Sequence, residues 1–360
     1  MTTIEVGGRR PYPVRIERGV LARAAALASD RSVALVSDTT VAPLHRERLA
    51  LPDASLYAMA PGEASKSLVE LEGVLDFLAE AHVDRRGLVI TLGGGVVTDL
   101  GGLAASLYLR GVDVVHAPTT LLAQVDAAIG GKTAVNLAAG KNLAGTIHPP
   151  AEVLIDPEVL ATQSDGDFRA GLAEVVKSAL VGAPALLELL EAEADAVLAR
   201  DPAVLERVLV DAVGVKARIV TSDELEQGER ATLNLGHTFA HAIEHAAGYG
   251  RVPHGVAVGV GLALALEASE RAGRLQDAAL GPRIERLLER LGLFRSLDEL
   301  ARRYDLDLTT KALITGLRHD KKGRAGEPAF VLVRRAGDVL WQQRLEPGLW
   351  RSLLAGRDIR

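Results

Sequence analysis

The chain has 360 residues, of which 48% are hydrophobic and 24% charged, with a formal net charge of −6 and no cysteine. That size and balance fit a globular enzyme of about two domains at roughly 100–200 residues each. The acidic charge argues against a nucleic-acid partner, and the lack of cysteine excludes disulfides, thiolate metal sites and cysteine nucleophiles. The N-terminal run MTTIEVGGRRPYPV has no apolar core of the signal-peptide kind. The most apolar later stretch, from Gly255, ends in charges and reads as a buried helix rather than a membrane span. A cytoplasmic protein with no membrane partner is expected.

In chain order, SVALVSD (32–38), GLVITLGGG (87–95), VDVVHAPTT (112–120) and EVLID (152–156) predict strands. Val, Ile, Leu and Ala dominate them, as in strands covered on both faces. Helical patterns such as SLVELEGVLDFLAEAHV lie between, so residues 1–157 predict an α/β domain with a mostly parallel sheet. From residue 158 to 360 a mainly α-helical domain is predicted, because the periodicity is helical and rich in Ala, Leu and Glu as far as Arg318. A late segment, AFVLVRRAGDVLWQQRL, predicts a hairpin around Ala336-Gly337-Asp338.

Arginine is heavily preferred over lysine: Lys+Arg total 41, and only eight are lysines. A retained lysine is a candidate for work that needs a compact ammonium. Lys132, Lys141, Lys177, Lys321 and Lys322 all fall in Gly-rich or polar segments that look like a site. The run from Leu107 to Asn142 also carries Arg110, Asp126, Asn136 and Asn142, a polar density that packing does not explain. A phosphate or carboxylate substrate needs such donors. Further on come Lys216, Arg230 and Asn234; DELEQGE, just before them, reads as a solvated acidic turn.

Gly93-Gly94-Gly95 follow a strand and open a helix, where backbone N–H groups and the helix dipole suit a phosphate. The glycines lack the spaced G-x-G-x-x-G pattern. Thr119 and Thr120 place hydroxyls at a strand's carboxyl end, where open α/β sheets bind ligands. Asp38 ends an earlier strand and offers an acceptor for a ribose.

His237, His241 and His245 recur at i, i+4 and i+8, on one helical face. Spacing alone pairs His237 with His241 as metal ligands. His254 stands at the start of the next helix, and Glu174 lies on an apolar helical face one turn before Lys177. Without cysteine, a zinc site must use His and carboxylate, but spacing does not say which histidines bind. His245 looks least functional, and His45, His82, His116, His148 and His319 read as structural.

The motifs GGGVVTD, YLRGVD, PTTLLAQVDAAIGGKTAVN, GKN, RAGLAEVVK, LNLGHTFAHAIE and DKK run in this order between about Asp38 and Lys322. Together they resemble the 3-dehydroquinate synthases, a family of the sugar phosphate cyclases. The resemblance implies an NAD-binding α/β domain joined to a helical domain. It also implies cyclisation of 3-deoxy-D-arabino-heptulosonate 7-phosphate to 3-dehydroquinate with release of phosphate, in the shikimate pathway of aromatic amino acid biosynthesis.

By the same resemblance, Glu174, His237 and His254 ligate a divalent metal, zinc or cobalt, which overrules the His237–His241 pairing. His241 then faces the substrate phosphate. Asp126, Lys177, Lys216, Arg230 and Asn234 surround the substrate's carboxylate and hydroxyls. Lys132, Asn142 and Lys321 hold the phosphate, and Arg110 reaches it from the partner subunit of a homodimer. Glu63, Lys66, Gly94, Gly95, Val96, Val97, Asp99, Thr119, Thr120, Lys132, Lys141, Leu160 and Thr162 contact NAD. Departures from the family pattern are Ser178, Leu137, Ala240 and the run at Gln163-Ser164. The alternatives are another sugar phosphate cyclase, or a metal- and NAD-dependent polyol dehydrogenase, for which the cations of IGGKTAVN and GKN would be superfluous.

Overall fold

The computed structural model describes residues 1–319 and 328–354. Residues 1–164 form one compact unit together with 205–221, a stretch that sequence reading assigns to the helical half. Its strands are β1 (Thr2–Val6), β2 (Tyr12–Ile16), β3 (Val33–Asp38), β4 (Ser55–Met59), β5 (Leu88–Gly93), β6 (Asp113–Pro118), β7 (Lys132–Leu137), β8 (Gly140–Ile147) and β9 (Glu152–Ile155). Seven of them build a sheet in the order β1-β2-β9-β6-β5-β3-β4. Only β1–β2 is antiparallel; every other pairing in this sheet is parallel.

Side-chain alternation along these strands feeds a core on each face. Ala34, Val36, Val89 and Val114 pack on one side with Leu71, Val74 and Leu78 of helix α1 (Leu68–Glu80) and Leu100 and Leu103 of helix α2 (Gly95–Leu107). Leu35, Leu88, Ile90, Leu92 and Val115 pack on the other side with Val20, Leu21, Leu49 and Val159. That double burial is why these strands read as continuous apolar runs.

The chain runs from β3 to β4 in one direction and from β5 to β6 in the other. The sheet therefore has a switch point between β3 and β5, where open α/β sheets form a ligand crevice at their carboxyl ends. Asp38 ends β3, and Gly93 ends β5 just before α2.

The strands predicted at 32–38, 87–95, 112–120 and 152–156 appear as β3, β5, β6 and β9, each slightly shorter. β1, β2, β4 and the hairpin β7–β8 are additions. That hairpin pairs Lys132 with Ile147 and Val135 with Ala144, and it packs on α2.

Residues 165–204 and 222–360 make the second unit. Its described part is helical apart from the hairpin of β10 (Phe330–Arg335) and β11 (Asp338–Gln343), which turns at Ala336-Gly337 as the sequence predicts. Its helices include α3 (Asp165–Gly182), α5 (His237–Ala247) and α6 (His254–Arg271). Helix α4 (Pro202–Ser222) carries the 205–221 stretch of the first unit. None of the helices among the described residues is long and apolar enough to cross a membrane.

Two glycines let backbones touch. A Cβ on Gly255 would lie 2.0 Å from the Ala170 carbonyl oxygen, so the start of α6 sits directly against α3. A Cβ on Gly261 would lie 2.2 Å from the Gly236 oxygen, so α6 also meets the entry to α5. These approaches carry His254 and His237 toward Glu174.

Candidate active site

In the first unit, the glycine loop opens α2 without a side-chain cap. Its N–H groups are therefore open to an anion, the arrangement that suits phosphate. A Cβ on Gly93 would strike Val97 at 2.5 Å, so only glycine fits this turn. Val97 and Leu160, expected to contact NAD, are core residues, 2% and 0% exposed. Thr119 is buried, and its Oγ1 has no hydrogen-bond partner among the described residues. Thr120 Oγ1 accepts from Ala123 N. The Asp38 carboxylate accepts from the N–H groups of Thr40 and Val41. His45 Nε2 lies 2.7 Å from the Thr162 hydroxyl.

A polar network lies beside this loop. Lys66, buried, donates to Asp99 of α2 and, at 2.6 Å, to Asn142 Oδ1 of β8. Asn136 donates to Glu63 at 2.7 Å and accepts from Asn142 N. Asn136 N also binds the Lys66 carbonyl, so the hairpin is stitched to the PGEASK segment. Glu63 and Lys66, Asp99, and Asn142, from three separate segments, are thus one cluster, and Asn136 is its hub. Asn142 has φ +53, a left-handed conformation that Asn tolerates better than most residues. Lys141 is partly buried on β8, while Lys132 opens β7 and is exposed. Arg110 is exposed too, in a tight turn with Leu109 and Arg110 at φ +48 and +70.

Asp126 sits in a π-helical turn, Ala123–Ala127, a geometry found often at functional sites. It accepts from Lys216 Nζ of α4 at 2.8 Å, which explains why a lysine is held in this otherwise apolar helix face.

In the second unit, Glu174 and Lys177 of α3 form an ion pair at 2.5 Å, each side chain 2% exposed. Glu174 Oε1 also lies 3.5 Å from His237 Nε2 and 3.6 Å from His254 Nε2. One ligand atom from each of Glu174, His237 and His254 falls within 4.8 Å of the others, close enough to share one ion. His241 flanks this group, its ring centroid 5.7 Å from that of His237 and 6.3 Å from that of His254. Three helices thus bring one candidate ligand each to this group, which favours the trio over the i, i+4 pairing of His237 with His241. His245 is placed away from the trio, with its ring against Tyr249.

Burial drives His237 well below its ordinary pKa, with Glu174 opposing, so its imidazole is neutral and ready to ligate. Burial lowers His254 as well, but hydrogen bonds to Glu174 and Glu244 outweigh it and push the pKa up to about 10. A proton held there occupies the place of a cation, and metal binding would release it. Two imidazoles and a carboxylate suit zinc or cobalt.

The loop before α5 is built by Asp223, whose carboxylate accepts from the N–H groups of Gln227, Gly228 and Arg230. Arg230, 2% exposed, donates to the Glu224 carbonyl. Asn234 donates to Glu226 at 2.9 Å. The acidic run DELEQGE is thus no mere solvated turn: it positions Arg230 and Asn234. Its position just ahead of them was the available signal. Lys321, expected at the phosphate, and its neighbour Lys322 lie outside the described residues.

Comparison with known proteins bears on the family and the fold. The 3-dehydroquinate synthase N-terminal family model matches residues 56–170, and the C-terminal one residues 171–323. A 3-dehydroquinate synthase of Paracoccus denitrificans is 45% identical over 359 residues, covering 97% of this chain and 96% of its own. One from Halorhodospira halophila is 44% identical, covering 92% and 93%. Among solved structures, 2-epi-5-epi-valiolone synthase from Streptomyces hygroscopicus, with NAD+ and Zn2+ bound, superposes with a TM-score of 0.84 at 32% identity, covering 96% of this chain and 97% of its own. A 2-deoxy-scyllo-inosose synthase shares the fold, with a TM-score of 0.85 at 23% identity and 98% and 99% coverage. Near-full-length identity of this order, together with both family models in sequence, shows that the chain belongs to the 3-dehydroquinate synthase family.

Proposed function

We propose that the chain converts 3-deoxy-D-arabino-heptulosonate 7-phosphate to 3-dehydroquinate with loss of phosphate, as a carbon–oxygen lyase using catalytic NAD and one divalent metal. The observation that carries this reading is the Glu174–His237–His254 trio with Lys177 paired to its carboxylate. It combines with the family membership and an uncapped glycine turn beside the orphaned Thr119 hydroxyl.

Glu174, His237 and His254 would hold the metal; the α2 N-terminus, Glu63, Lys66, Asp99, Thr119, Thr120 and Lys141 would hold NAD. When bound, the metal acidifies a ligated hydroxyl, and NAD removes and returns a hydride. The protein's own work is orientation and charge stabilisation. Lys177 lies at the metal carboxylate, where an ammonium stabilises a developing alkoxide. Arg230 and Asn234, braced by Glu224 and Glu226, are set to bind a carboxylate and hydroxyls. The Asp126–Lys216 pair offers an acceptor and a donor together. Lys132, Asn142 and His241 supply donors for the phosphate, and charged donors of this kind are worth more in a partly dry site. A homodimer, with Arg110 serving the partner's site, and a cytoplasmic location complete the reading.

Against a polyol dehydrogenase stands the retention of Lys132, Asn142, Lys216, Arg230 and Asn234 together. One assay tests the whole reading: the heptulosonate phosphate, NAD and Co2+ or Zn2+ are incubated with the protein. Phosphate release with no net gain of NADH absorbance is expected, and stoichiometric NADH would refute the cyclase. Glu174→Gln is expected to abolish turnover and lower metal retention; full activity after metal depletion of this variant would refute the ligand set.

A further inference from the structure

We propose that Glu244 is a positioning residue for the metal centre: its carboxylate holds the Nδ1–H of His254 and so aims His254 Nε2 at the cation. This rests on the metal assignment above and extends it. Glu244 lies two turns after His237 on α5 and is 3% exposed. Its Oε2 is 3.4 Å from His254 Nδ1, while His254 Nε2 faces Glu174 Oε1 at 3.6 Å. The His254 ring therefore spans two buried carboxylates, one on each nitrogen.

His237 has the same orientation with a different brace. Its Nδ1 lies 3.2 Å from the Leu235 carbonyl oxygen, and its Nε2 faces Glu174. In both rings Nδ1 is tied to an acceptor, which leaves the Nε2 lone pair for the ion. The braces differ in charge. A backbone carbonyl only orients; a carboxylate also makes the imidazole a stronger donor to metal. It adds a second negative charge as well. With a divalent ion and Lys177 present, Glu174 alone would leave a buried excess of two positive charges, and Glu244 cuts this to one. A single residual positive charge suits one substrate alkoxide. A carboxylate only 3% exposed, on the same helical face as His237 and His241, is hard to explain by packing alone.

The test is titration of Co2+ into the metal-free full-length protein, with affinity read by chelator competition and ligand geometry by the visible cobalt spectrum. Glu244→Gln keeps shape and an acceptor but removes the charge. It is expected to weaken cobalt binding about tenfold and shift the ligand-field bands, and Glu244→Ala to weaken it by about 10–100-fold. Glu244→Asp should recover part of the loss. Cobalt affinity within twofold of wild type and a superimposable spectrum in Glu244→Gln would overturn the proposal, whatever the thermal stability. Should Glu244→Ala fail to fold, the isosteric Gln variant still decides. Glu174→Gln is run in parallel: if it too binds cobalt as wild type does, the metal assignment itself fails. If only the Glu244 variants do, this inference alone fails.

Discussion

Replacing Gly255 with alanine tests whether backbone contact between α6 and α3 sets the metal geometry. The added Cβ would stand 2.0 Å from the Ala170 oxygen and 2.5 Å from its carbonyl carbon. Close carbon–oxygen contacts lie at about 3.3 Å, so the two backbones must part by roughly 1.3 Å. His254 is the neighbouring residue and must move with α6. Metal–ligand distances tolerate only about 0.2 Å, so the displacement is several times what the site can absorb. Overpacking of this kind costs about 1–3 kcal/mol. Alanine's better helix propensity returns at most about 1 kcal/mol, and less so near a helix start. The expected outcome is a net loss of about 1–2 kcal/mol in denaturant unfolding of the metal-free protein, with cobalt affinity reduced at least tenfold.

Gly214→Ala is the control, because it lies within α4 with nothing within 4 Å of its added Cβ. It should stabilise by about 0.5–1 kcal/mol. If Gly255→Ala behaves like Gly214→Ala, with metal affinity intact, the argument from close approach is wrong.

Other outcomes follow from buried groups. Burial, with His148 nearby, lowers the His116 pKa to about 3, and Thr91 Oγ1 lies 2.8 Å from its Nδ1. Its native form is neutral, whereas the unfolded chain takes up the proton near pH 6.5. Stability from this group is complete above that pH and is lost as pH falls toward 3, by about 1.4 kcal/mol per unit. His116→Leu should therefore lose about 2 kcal/mol less than wild type between pH 6.5 and 4.5, by urea unfolding at each pH; equal losses would refute this. Glu226→Ala removes the acceptor of Asn234. It should lower kcat/KM about tenfold, by the worth of one charged hydrogen bond, with little change in Tm; unchanged kinetics would return the acidic loop to solvent.

Much of the sheet was readable because β3, β5, β6 and β9 are buried on both faces and must be apolar throughout. The strands that escaped notice have other constraints. β1 and β2 pair antiparallel at the sheet edge, and their alternation of Thr, Glu and Arg with apolar residues is short and interrupted by Pro13. β4 is the opposite edge. β7 and β8 were legible only as a dense polar segment, since Lys132, Asn136, Lys141 and Asn142 disguise a hairpin whose buried face is as small as Thr133 and Val135.

At the metal centre, helical spacing reveals neighbours on one helix and nothing about partners on others. It therefore favoured His241, whereas the observed trio depends on where α3 and α6 cross, which two glycines decide. Glu226 and Glu244 stayed hidden for a related reason. A carboxylate's job depends on whether the fold buries it beside a donor, and both sit among acids or alanines that look ordinary in a string.

The joining of residues 205–221 to the α/β unit has a practical side. The polypeptide passes from one unit to the other three times, after Ser164, Val204 and Thr221. Truncation after Ser164 would yield a fragment in which Asp126 has lost its ammonium neighbour, because Lys216 is encoded some ninety codons downstream. The two halves are consequently not interchangeable modules. Chimaeras made by splicing a foreign nucleotide-binding half at a single junction must transplant the 205–221 segment as well, or deprive Asp126 of its Lys216 partner.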